Sequence, residues 1–134
     1  MRSHLMSMTF LFLGGGVGTM LRFAVVSAVR EMWHPEHFPL GTLAVNVAGC
    51  LAIGALWQAL AGPWAIREEL RVALIVGLLG GFTTFSSFGL ETIQMWSREH
   101  YARAILYVVL SNGLGIAAVF LGMRLVPGAG DSGT

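Results

Sequence analysis

Four long stretches of this chain, residues 3–21, 40–66, 72–90 and 104–123, contain no aspartate, glutamate, lysine or arginine. A bilayer core about 30 Å thick takes about 20 mostly apolar residues of helix to cross, so each stretch is long enough to span. A soluble fold could not clothe its surface with what remains: 55% of the 134 residues are apolar, against 8 basic and 7 acidic side chains. The expected fold is an all-α membrane protein of one domain, 1–134, with four transmembrane helices at about 8–29, 40–61, 71–95 and 103–125 and a flexible tail at 127–134. The first helix continues past Arg22 because apolar residues resume through Val29. Net charge +1 offers no case for nucleic acid, and the single cysteine, Cys50, has no partner in its own chain and reads as a small buried thiol.

The junctions carry breakers and interfacial aromatics: Pro35 and Pro39 in the first, Gly62-Pro63 in the second, with Trp33, Trp64, Trp96 and Tyr101 at the ends of the spans. Arg2 ahead of an apolar run would also suit a cleaved leader, but no A-x-A-like site follows it. An even number of spans puts both termini on one side of the bilayer. Arg2, Arg67, Arg71 and Arg124 then face Arg30, Arg98, Arg103 and a snorkelling Arg22, which is no bias at all. A chain without positive-inside preference can insert both ways and pair as an antiparallel dimer. Four short helices can hardly surround a polar path alone, and small residues at i, i+4 (Gly14 and Gly18, Gly77 and Gly81, Ala118 and Gly122) offer surfaces for close helix packing.

The third stretch holds Gly80-Gly81-Phe82-Thr83-Thr84-Phe85-Ser86-Ser87-Phe88-Gly89. Two glycines followed by four hydroxyl residues predict a helix broken between about Gly80 and Ser86, in which freed carbonyls suit a cation and freed amides an anion. A continuous helix with hydroxyls bonded back to the preceding turn is the plainer alternative. Thr42 and Asn46 share a face of helix two, and Tyr107 and Ser111 share one of helix four, with Asn112 beside them. Each pair could serve only to join helices, but together they outline a polar track with no ionisable group at depth. The nearest acid is Glu91, at the outer end of helix three. Such a track favours passive conduction of a small anion, with phenylalanine ring edges as weakly positive walls. His34, Glu36 and His37 have too few companions for a metal site, and no base stands at a recognisable spacing from Ser86 or Ser87 for a hydrolase.

Gly-x-x-x-Arg at Gly18 and Arg22, Gly-Thr-Leu-x-x-Asn at 41–46 and Gly-Gly-Phe-Thr-Thr-Phe-Ser-Ser-Phe-x-x-Glu at 80–91 closely resemble, in order and spacing, the Fluc or CrcB family of fluoride channels. The resemblance covers nearly the whole chain, from Gly14 to Gly122. It implies an antiparallel, dual-topology homodimer in the inner (plasma) membrane, with two pathways that export toxic fluoride. Carried over residue by residue, it implies that Asn46, Phe85 and Phe88 line the path. Ser86, Tyr107 and Ser111 add hydroxyls beside Thr42 of the polar track, Arg22 and Glu91 stand at a vestibule, and the carbonyls of Gly80 and Thr83 hold a structural Na⁺ on the dimer axis. Gly89 and Gly115 depart from the pattern, standing where some relatives have hydroxyl residues. Two other functions compete: a small multidrug-resistance-type proton-coupled exporter, which needs a carboxylate midway along helix one, and a packing subunit of a larger membrane complex.

Overall fold

Helices form where the charge-free stretches lie, because a backbone taken out of water must satisfy its own hydrogen bonds. A computed structural model describes residues 2–33, 38–61 and 64–127. Its elements are α1 (Arg2–Trp33), α2 (Leu40–Ala61), α3 (Glu68–Val72), a π-helical stretch (Ala73–Leu79), α4 (Gly80–Phe82), α5 (Phe85–Ser97) and α6 (Tyr101–Leu125). Four of the resulting segments are long and apolar enough to cross a membrane: His4–Trp33, Leu40–Ala61, Glu68–Ser97 and Tyr101–Leu125. The readings made of His34, Glu36, His37, Pro35, Gly62-Pro63 and most of the tail fall outside the described residues.

The first helix is longer than the span expected of it, 32 residues from Arg2 to Trp33. Nothing in its sequence stops it early: proline is absent and Arg22 keeps helical geometry, with its cation half-buried. The third span is the irregular one. Its π-helical turns give way to Gly80–Phe82, and then Thr83 (φ −86°, ψ 161°) and Thr84 (φ −152°, ψ 117°) are extended before α5 begins.

Two close helix pairs make the fold. In one, α1 packs on the π-helical stretch and α4, with Gly14 facing Gly77, Gly15 facing Gly81, and Gly18 against Leu78 and Phe82. A β-carbon on Gly14 would stand 2.7 Å from the Ala73 carbonyl oxygen, and one on Gly18 would collide with the Leu78 carbonyl. In the other, α2 packs on α6, where Gly54 meets the Val119 carbonyl and Gly122 the Leu51 carbonyl. The small-residue pairs of the sequence are thus consumed within one chain. Gly115 belongs to the same seam, with the Cys50 thiol 3.4 Å from where its β-carbon would be.

The turn from α5 to α6 is closed by the chain itself. Glu99 adopts the left-handed conformation (φ 62°), its N–H donates to the Trp96 carbonyl, and the His100 N–H donates to that of Met95. These two bonds form the Schellman arrangement that usually asks for glycine. Leu43, Met95, Ala104 and Tyr107 form a buried cluster beside this end, with Phe38, Leu40, Val47, Phe88 and Leu110 packed against it. The outward faces are apolar, Phe12 being 81% exposed, which is the surface a lipid-facing protein presents.

Candidate functional site

An extended pair inside a helical span leaves main-chain groups unmatched, and the sequence supplies their partners from α2. Asn46 Nδ2 donates to the Thr84 carbonyl at 3.0 Å, while the Thr84 N–H donates to Asn46 Oδ1 at 2.8 Å. In an unbroken helix the Thr84 N–H would have met the Gly80 carbonyl, and the Ser87 N–H the Thr83 carbonyl. Here the Ser87 N–H donates instead to the Thr84 hydroxyl at 3.2 Å, an N-cap for α5. The Gly80 and Thr83 carbonyls are therefore released from those donors. Thr83 still keeps its own N–H and hydroxyl on the Leu79 carbonyl, at 2.9 Å each. Its carbonyl lies 3.5 Å from Arg22 Nη1, a long contact at the edge of hydrogen bonding. A β-carbon on Gly80 would meet nothing within 4 Å, and Gly49 on α2 is where the Thr83 methyl seats.

One helical turn away, a second polar cluster ties α2, α5 and α6 together. The Thr42 hydroxyl donates to Glu91 Oε1 at 2.7 Å, and the Tyr107 hydroxyl donates to Glu91 Oε2 at 2.8 Å. Thr42 and Tyr107 are buried, so each hydroxyl exchanges water for a charged acceptor, which is worth about 1.5–3 kcal/mol per bond. Glu91 also lines a cavity of ≈ 220 Å³ together with Arg30, Gln94, Arg98 and His100. The mouth of this cavity is thus walled by guanidinium groups around one carboxylate.

A larger cavity, ≈ 350 Å³, lies deeper. Asn46, Gly80, Thr83, Thr84, Phe85, Phe88, Ser111 and Asn112 all line it, with Cys50, Ile53 and Leu79 on its apolar side. The Phe88 ring joins the two levels: its centroid is 5.2 Å from that of Tyr107 and 5.5 Å from that of Phe85. Phe85 is 82% exposed. Ser111 Oγ is buried, yet among the described residues it has no hydrogen-bond partner. Asn112 differs from it, since its amide donates to the Val108 carbonyl of its own helix at 2.8 Å.

The residues singled out from sequence therefore gather at two neighbouring levels. Thr42, Tyr107 and Glu91 share one, and Asn46, Phe85, Phe88, Ser111, Gly80 and Thr83 share the other. Ser86 is exposed, its hydroxyl 3.3 Å from that of Thr84. Arg22 is separate from the Glu91 mouth and sits against the extended pair. Three features escaped sequence reasoning: Thr84 as the hub, Gly49 as the seat of Thr83, and the arginines of the mouth. Thr84-Phe85-Ser86-Ser87 has the spacing of a hydroxyl N-cap, which could have revealed the first.

Comparison with known proteins adds an independent finding. The profile of the family described as CrcB-like protein, Camphor Resistance (CrcB), matches residues 9–123. The chain is 38% identical over 116 residues to a protein of Desulforapulum autotrophicum named fluoride-specific ion channel FluC, covering 87% of this chain and 92% of that one. It is 43% identical over 122 residues to a protein of the same name from a Chelativorans species, covering 91% and 94%. A third of that name, from Pseudomonas fluorescens, is 44% identical over 112 residues, covering 84% and 90%. These relatives are named as ion channels and not as enzymes.

Proposed function

The chain belongs to the CrcB family, and from that premise we propose that it is a fluoride-selective channel giving the ion a passive way out of the cytoplasm across the cell's inner membrane. The observation that carries the reading is the buried Ser111 hydroxyl, without a partner among the described residues, on a residue that lines the same cavity as Asn46, Phe85 and Phe88. A buried donor left unmatched costs about 1–3 kcal/mol, so its retention asks for a guest that accepts its proton. Stripping a small anion of water costs tens of kcal/mol, so one hydroxyl cannot suffice and several donors must act in turn. Ser111, Ser86 and the second N–H of Asn46 are donors of that series, and Tyr107 and Thr42 join it by exchanging Glu91 for the ion. Ring edges of Phe85 and Phe88 line the dry part of the way, offering the positive rim of the quadrupole without inviting water. Glu91 acts nearer one end, and Arg22 stands beside the extended pair.

The path is read as passive because the carboxylate nearest to it, Glu91, has both oxygens engaged by hydroxyl donors. A proton-coupled exporter of the small multidrug-resistance type is not favoured: the only acid of α1 is Glu31, in its last turn.

The functional unit proposed is an antiparallel homodimer with two such pathways, in which the extended Thr83-Thr84 pair is a true break of the membrane-embedded helix. Balanced arginines and the exposure of Phe85 support this, since a ring meant for a pore wall needs a second copy to enclose it. The Gly80 and Thr83 carbonyls fit a structural Na⁺ shared by the two copies. Both residues line the cavity and both carbonyls are released from their helical donors, and hard backbone oxygens suit the ion. When bound, such a cation would offset the carbonyl dipoles gathered from the two chains.

Purified protein in liposomes loaded with fluoride, read by a fluoride electrode, tests the proposal. Release should follow relief of the membrane potential by valinomycin and should ignore a pH gradient. Release only when protons flow the other way supports an exporter, and none at all supports a packing subunit.

A further inference from the structure

Asn46 is committed to another residue before any ion arrives. Its carbonyl takes the Thr84 N–H at 2.8 Å and its amide nitrogen gives a hydrogen to the Thr84 carbonyl at 3.0 Å. One side chain thus satisfies both main-chain groups of one residue, as a neighbouring strand would. That residue is the second of the extended pair (φ −152°, ψ 117°), and its hydroxyl caps the helix that begins with Phe85. The Phe85 ring then leans on Phe88, 5.5 Å between centroids. A primary amide has two N–H groups and an acceptor oxygen, so at most one N–H is left for a guest.

We propose that Asn46 is a positioning residue: its amide pins the Thr84 peptide groups, so that the start of α5 and the Phe85 ring stand where the cavity requires them. The inference rests on the fluoride reading for its meaning, but the pinning is a property of the protein alone. Asn46 acts on the passing ion chiefly through Thr84 and Phe85, and direct donation is secondary.

Two measurements test this. In the first, the Phe85 ring carries a fluorine label at its para position, and its ¹⁹F resonance is recorded in purified, folded protein with no fluoride added. Asn46→Ala, which removes both bonds, should shift or split the line, and Asn46→Asp, which keeps an acceptor for the Thr84 N–H, should disturb it less. A line unchanged in Asn46→Ala overturns the proposal. The second keeps Asn46 and replaces Thr84 by its α-hydroxy acid, which exchanges the N–H for an ester oxygen. Pinning predicts that fluoride flux in liposomes falls about tenfold or more, and that combining the ester with Asn46→Ala costs no more than Asn46→Ala alone, since both cut one linkage. Normal flux in the ester variant, or losses that multiply, would mean that Asn46 works on the ion directly. Absence of flux in the unmodified protein would defeat the fluoride reading instead, leaving the resonance to decide the pinning.

Discussion

A buried hydroxyl with no partner is a liability in a folded protein, and among the described residues Ser111 carries one, in the wall of the cavity that Phe85 and Phe88 also line. Ser111→Ala should therefore leave the melting temperature in detergent unchanged or slightly raised while lowering fluoride flux; a fall in both together would mark the hydroxyl as structural. Phe88 is tested by keeping its bulk and removing its quadrupole. If ring edges face the ion, Phe88→Ile should cut flux by about tenfold or more at modest cost in stability, whereas mere packing against Tyr107 predicts nearly normal flux. Residue identities in this region were legible because polar groups inside an apolar span are costly and so stand out. What they bond to was not. Asn46 reads in sequence as a link between helices or a donor to an ion, and its bonding to both main-chain groups of Thr84 depends on the placement of α5 against α2, which no local pattern encodes.

Among the elements, the spans could be read from charge-free length alone, since lipid leaves the backbone few alternatives. Their ends could not: α1 runs from Arg2 to Trp33 because neither charge nor a single half-buried cation stops a helix that has no proline. Helix pairing was half legible. Small residues at i, i+4 announced close approach, but only the assembled chain assigns Gly14 and Gly18 to the π-helical stretch and α4, and Gly54 and Gly122 to the α2–α6 seam. The Gly122 contact is against main chain, the Leu51 carbonyl, which cannot rotate aside. Gly122→Val should thus separate α2 from α6, lowering stability by about 1–3 kcal/mol or more. The same shift should carry Tyr107 off Glu91 and lower flux, so thermal melts and efflux should fall together. Loss of neither would show that the seam has slack.

For the whole molecule, the even distribution of arginine meets a geometry in which Arg30 and Arg98 share one mouth while Arg71, bonded to Glu68, lies over Trp57 at the end of α2. Neither end is the obvious cytoplasmic one. The account therefore expects terminal tags to be accessible from both sides of the membrane in the same preparation, and tags on a single side would remove the antiparallel dimer. Fluoride passage itself is the central claim, and its most direct measurement is the reversal potential of purified protein in a planar bilayer under a fluoride gradient. The account predicts that current reverses near the fluoride equilibrium potential, at the same voltage when the pH on one side is changed. A reversal potential that follows the proton gradient, or a bilayer that carries no fluoride current, would contradict it.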